Sequence, residues 1–208
     1  LREPLDDETY QEIKRALLDN LLVFFRDQDI TPEQQIAFGR RFGELHVHPF
    51  IPSLQGHKEI IVLKARSGAE ENLRLANAWH PDLSYTTDPP LLGILRSIRP
   101  PSRGGDTMWV NLYRAYETLS PKMQAIISGL SAWHDVTKTY WRQELQTAGG
   151  PERYAQTHKK APPVLHPLVA VHPETGRKAI FASEGWTRCI PGIPAAQIFA
   201  SPLRFDKD

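Results

Sequence analysis

Eighteen prolines against thirteen glycines in 208 residues constrain this chain more than any other feature. Proline has no N–H to donate and a locked φ, so it stops helices and is kept out of central strands. The pairs Pro89-Pro90, Pro100-Pro101 and Pro162-Pro163 cut the sequence into short pieces, which favours strands joined by ordered loops over a helical bundle. Hydrophobic residues make up 40% of the chain, enough for a sizeable buried core. No repeat, low-complexity tract or charge block marks a boundary, so a single domain over residues 1–208 is expected.

Charge and apolar pattern exclude several classes of partner. Lys and Arg number 25 and Asp and Glu 24, so the net charge of +1 provides no basic stripe and no nucleic-acid partner is expected. The longest apolar run, Leu21-Leu22-Val23-Phe24-Phe25, is far short of the about 20 residues that span a bilayer, and no membrane partner is expected. The first residues are charged and lack the pattern of a secretion signal, so a cytoplasmic location is the expectation. Cys189 is the single cysteine, which leaves His, Asp and Glu to hold any metal.

The local pattern alternates helices with strand-like runs. Residues 7–20 place Tyr10, Ile13, Ala16 and Leu17 at helical spacing, and the run 21–25 suits a buried strand. Thr31, Pro32 and Gln34 spell a helix start, with Ile36, Phe38 and Phe42 behind it and Gly43 beyond. Residues 60–63, 91–98 and 107–110 read as strands, the last after the turn Ser102-Arg103-Gly104-Gly105. Residues 111–119 and 120–130 read as helices, the second opened by Ser120-Pro121. Strands return at 165–171 and 178–182 around Pro173-Glu174-Thr175-Gly176. The expected class is mainly β with flanking helices.

The chemistry centres on Trp79-His80-Pro81-Asp82-Leu83. In an extended segment, residues two apart project to the same side, so one imidazole and one carboxylate can reach a single metal ion. That supplies two of the three positions in a facial triad of two His and one carboxylate on non-haem iron. Taken alone, H-x-D is a common pattern.

The company it keeps is more specific. Thr107 stands in Gly104-Gly105-Asp106-Thr107-Met108-Trp109, and Val23-Phe24-Phe25-Arg26-Asp27-Gln28 and Phe42-Gly43-Glu44-Leu45-His46-Val47-His48-Pro49 precede the central motif. Tyr116-Glu117-Thr118-Leu119-Ser120, Leu165-His166-Pro167, His172-Pro173 and the stretch 181–187 follow in order. Together they resemble the taurine dioxygenase family of Fe(II)- and 2-oxoglutarate-dependent oxygenases, with its alkylsulfatase and 2,4-D dioxygenase relatives. The resemblance implies a double-stranded β-helix, or jelly roll, and an enzyme that uses Fe(II), 2-oxoglutarate and O2 on a small anionic organic substrate in sulfur metabolism. It also implies a homo-oligomer, a dimer or tetramer.

Position by position, the resemblance makes His80 and Asp82 iron ligands and gives Thr107 the distal carboxylate of 2-oxoglutarate. It places His48, Leu83 and Phe181 around the substrate; a capping role in its loop is the plain alternative for His48, and core packing for the other two. Where taurine-type enzymes carry a tyrosine against the substrate amine, this chain has Ile51. An anion with an apolar tail, such as an alkyl sulfate, a longer alkanesulfonate or an aryloxyalkanoate, is therefore expected over taurine. The family completes its triad with a distal His, followed by an Arg that pairs bidentately with the cosubstrate carboxylate. Neither has a counterpart here, since His166 and His172 match earlier positions and the tail from Ser201 to Asp208 contains no histidine. The jelly roll is accordingly expected to be incomplete in this sequence, with an N-terminal strand and C-terminal strands outside it.

Competing chemistries find less support. His46-Val47-His48 has metal-type spacing, but Pro52 and Ser53 stand where a cupin would carry its Glu. No G-x-S-x-G elbow, G-x-G-x-x-G or Walker motif occurs. A metal-binding homologue without activity and a zinc hydrolase built on His80 and Asp82 remain as alternatives.

Overall fold

The computed structural model describes residues 1–63, 78–100, 102–138 and 149–193. Pro101 and the tail from Ser201 lie outside them. Contacts cluster in two compact units, Leu1–Gly68 with Leu92–Asp106 and Ala69–Leu91 with Thr107–Asp208.

In the first unit, α1 (Asp7–Asn20) begins at Asp6, whose carboxylate accepts from the Thr9 amide at 2.7 Å. It ends at Leu21, forced into the left-handed region at φ 67°. That cap turns the chain at the residue where the run 21–25 was expected to start a strand. No strand forms there, and Phe24 is exposed. α2 (Pro32–Arg40) carries the full capping box expected of Thr31 and Gln34, with Pro32 in its first turn. Phe42, just beyond α2, meets Tyr10 of α1 and Phe38 of α2 edge-on, each at 5.3 Å, and Arg41 lies over the Tyr10 ring. Ile30, Ile36 and Phe38 are buried, each worth about 1.5–3 kcal/mol of apolar transfer. A short antiparallel pair, β1 (Ser53–Leu54) and β2 (His57–Ile61), completes the described elements of this unit.

In the second unit, α3 (Leu112–Glu117) and α4 (Pro121–Ser128) are capped by Asn111 and Ser120. β3 (Ser131–His134) is the middle strand of a three-stranded antiparallel sheet, flanked by β4 (Val164–Pro167) and β7 (Thr187–Cys189). α5 (Gly150–Lys160) lies between β3 and β4 in sequence. β5 (Val169–Val171) and β6 (Lys178–Ile180) form a hairpin closed by a turn in which Gly176 takes φ 67°. α3 packs on β6, where Arg177 stacks on Tyr113 at 4.0 Å and pairs with Glu117 at 2.7 Å.

The expected helices are present, and α5 was unanticipated. Among the strands, 165–171 divides into β4 and β5, 178–182 shortens to β6 and 60–63 ends early in β2. Residues 91–98 and 107–110 form no strand, and Leu95 and Met108 are 68% and 73% exposed. Apolar sequence makes a segment fit for a sheet, but only a hydrogen-bonded neighbour makes it a strand. The middle strand β3 has no alternating signal, because its buried positions are held by Ala132 and His134.

Candidate metal centre

The turn carrying His80 and Asp82 is shaped by its backbone. Leu83 adopts φ 56°, a left-handed conformation a branched side chain enters at a cost, and the Thr86 amide and hydroxyl both donate to the Leu83 carbonyl at 2.9 and 2.8 Å. This closes the chain on itself just beyond Asp82.

His80 Nδ1 lies 2.7 Å from the Ala78 carbonyl, which can only accept, so Nδ1 carries the hydrogen. In the neutral ring Nε2 is then a bare acceptor, and it faces Asp82 Oδ1 at 3.4 Å. Two acceptors facing each other need a proton or a cation between them. With a proton there, the Asp82 hydrogen bond raises the His80 pKa above its ordinary value, burial opposing it. A cation fits the same place. A backbone carbonyl fixing Nδ1–H while Nε2 points outward is the arrangement of metal-binding histidines. The Asp82 side chain is 81% exposed, so an ion can reach it from solvent. No third His, Cys, Asp or Glu joins this pair among the described residues.

Behind the turn lies a buried polar cluster that pattern reading missed. Ser84 and His134 are both 0% exposed. His134 Nε2–H donates to the Phe181 carbonyl at 3.2 Å, which makes Nδ1 the acceptor of the Ser84 hydroxyl at 2.9 Å. The ring stacks on Phe181 at 5.2 Å and meets the edge of His166, whose Nε2–H donates to the Thr86 carbonyl at 2.9 Å. Burial, with the charge of His166 second, pushes the His134 pKa down to about 4, so the imidazole is neutral. Next to it Asp135, 1% exposed, accepts from the Thr137 amide and hydroxyl and pairs with Arg188 at 2.8 Å.

The remaining expected site residues divide clearly. Phe181 is half-buried and packed against the two imidazoles, and Leu83 is half-buried on the turn itself. Thr107 is exposed on a segment that joins no sheet. His48 belongs to the first unit, where its Nδ1 accepts from the Phe50 and Ile51 amides at 3.1 and 2.9 Å. It therefore caps its loop. His172 does the same for Glu174 and Thr175.

Comparison with known proteins gives the family. The family described as "Taurine catabolism dioxygenase TauD, TfdA family" matches residues 1–200. The chain belongs to that family. Among curated relatives, the alkylsulfatase of Acinetobacter baylyi is 32% identical over 201 residues, covering 91% of this chain and 59% of the relative. The (S)-phenoxypropionate/alpha-ketoglutarate-dioxygenase of Sphingobium herbicidovorans is 30% identical over 197 residues, covering 93% and 68%. A crystal structure of a putative alpha-ketoglutarate-dependent taurine dioxygenase from Burkholderia xenovorans superposes with a TM-score of 0.76 at 32% identity, over 94% of this chain and 63% of that one. The taurine dioxygenase fold, a jelly roll with flanking helices, is thus the fold of this chain, although helices hold about twice as many of its described residues as strands do. The chain spans 59% of the alkylsulfatase's length. No helix among the described residues is long and apolar enough to cross a membrane.

Proposed function

We propose that this chain carries part of the active centre of an Fe(II)- and 2-oxoglutarate-dependent dioxygenase that hydroxylates the carbon next to a sulfonate, sulfate ester or aryloxy group. The products are an aldehyde with sulfite or sulfate, or a phenol with the residual oxoacid, together with succinate and carbon dioxide. The observation that carries the reading is the His80 ring, pinned through Nδ1–H to Ala78 with Nε2 turned toward Asp82. It is supported by family membership and by relatives named as sulfate ester, sulfonate and aryloxy dioxygenases.

Within this reading the residues have separate tasks. His80 binds iron through neutral Nε2 and Asp82 through its ionised carboxylate, so both must lose the proton they share in the metal-free protein. Bound iron, with 2-oxoglutarate and O2, supplies the oxidant for C–H hydroxylation. Thr107 donates its hydroxyl to the far carboxylate of 2-oxoglutarate. His48 has Nδ1 committed as an acceptor, so its neutral ring carries hydrogen on Nε2 and donates toward the anionic end of the substrate. Leu83 and Phe181 supply apolar contact. Ile51, in place of an amine-binding tyrosine, turns the preference toward an anion with an apolar tail.

Succinate release from the full-length protein, supplied with Fe(II), ascorbate and 2-oxoglutarate, tests this reading on hexyl sulfate, phenoxyacetate and taurine. Stimulation by hexyl sulfate or phenoxyacetate above taurine is expected. Stimulation by none of the three overturns the substrate class, and turnover that persists without oxygen overturns the reaction class.

A further inference from the structure

The turn bearing His80 and Asp82 is held from both ends by groups outside the proposed ligand set. At the near end, the Gly185 amide donates to the Trp79 carbonyl at 3.3 Å. A Cβ at Gly185 would stand 2.9 Å from the His80 Cβ and 3.7 Å from its Cγ. Non-bonded carbons settle at about 3.5–4.0 Å, so no side chain fits while His80 keeps its place. The Gly185 backbone is not left-handed, so glycine is required here for space and not for conformational freedom. The neighbouring Trp186 ring meets the edges of both His80 and Tyr85, at 5.7 and 4.9 Å. Its indole N–H is buried and finds no hydrogen-bond partner among the described residues, while the Trp186 amide donates to the Ser183 hydroxyl at 3.2 Å. At the far end, Ser84 follows Asp82 by two residues and is tied to fully buried His134.

We infer that Gly185 and Ser84 are positioning residues that set the separation of His80 from Asp82 and hence the affinity of the site for iron. Gly185 lets the His80 Cβ seat against bare backbone, and Ser84 anchors the chain beyond Asp82 to the β3 strand. This rests on the reading of His80 and Asp82 as metal ligands. A two-point grip on a metal tolerates little movement of either donor, and partners outside the ligand shell contribute tenfold to hundredfold in affinity.

The test is anaerobic titration of the full-length protein with Fe(II), and with Co(II) for its visible spectrum, in Gly185→Ala, Ser84→Ala, His80→Ala and the parent. The expected result is an affinity lowered by about tenfold to a hundredfold in Gly185→Ala and Ser84→Ala. A shifted Co(II) absorption should accompany it, at temperatures where thermal melts show the metal-free variants fully folded. Ser84→Ala adds no bulk, so it decides the matter if Gly185→Ala fails to fold. Affinity within about twofold of the parent in these variants, with binding abolished in His80→Ala, overturns the inference. Affinity undiminished in His80→Ala overturns the ligand reading beneath it.

Discussion

His80 and His48 both stand on loops, each beside a second group of metal-type spacing, yet their backbones use them in opposite ways. His80 donates from Nδ1 to a carbonyl two residues earlier, which leaves Nε2 an acceptor aimed at Asp82. His48 accepts at Nδ1 from the two amides that follow it, which makes Nε2 the protonated nitrogen. An imidazole with an outward acceptor suits a cation, and one with an outward donor suits an anion. The lesson is that the peptide groups within three residues of a histidine decide which chemistry it is prepared for. The loops differ in support as well. The His80 turn rests on buried Ser84, Tyr85 and His134, while the His48 ring takes two amides of its own loop.

The largest expected effect would break this contrast outright. His80→Ala should lower Fe(II) affinity by more than about a hundredfold, beyond what loss of an outer partner costs, whereas His48→Ala should leave it within about twofold. Equilibrium dialysis of both variants checks this, and equal losses would erase the distinction. Next, His134→Ala should cost about 2–4 kcal/mol of folding stability, because it opens a buried void and strands the Ser84 hydroxyl. Denaturant melts measure it.

The pH dependence should follow the same buried ring. His134 has a folded pKa of about 4 and an unfolded one near 6.5, so the unfolded chain binds the proton first as pH falls. Its contribution to stability is complete above about pH 6.5 and drains away between there and about pH 4. His80, whose folded pKa is raised, acts with the opposite sign in the metal-free protein. The melting temperature of His134→Gln should therefore fall less steeply with acid than that of the parent across this window. A parallel fall would refute the assignment. The smallest effect is at the other loop, where His48→Ala should cost about 1 kcal/mol, the net worth of its hydrogen bonds to the loop amides. A loss several times larger would mean that the two amide hydrogen bonds are not the main contribution of His48 to stability.

Much of this was legible before folding, for identifiable reasons. Helix starts are written locally, and Thr31 and Ser120 cap the helices that follow them as expected, while Asn111, read as the first residue of its helix, is its cap. The spacing of His80 and Asp82 is local too, and the two side chains do face each other. The strands at 91–98 and 107–110 were misread because pairing is not a local property. β3 escaped notice because a buried histidine at its end reads as polar. Gly185, Trp186 and His134 did not stand out as site residues, since each lies fifty or more residues in sequence from the residue it touches.

The sequence by itself determined the family, the caps that open α2 and α4, and the placing of an imidazole and a carboxylate at positions 80 and 82, because these depend on residue types at short spacing. Only the tertiary structure decided that no side chain is tolerated at Gly185 and which nitrogen of the buried His134 ring accepts from Ser84. It alone showed that a neutral His134 anchors the turn. Those outcomes depend on carbonyls, hydroxyls and rings brought together from distant parts of the chain, where burial and contact distance set the chemistry of each group.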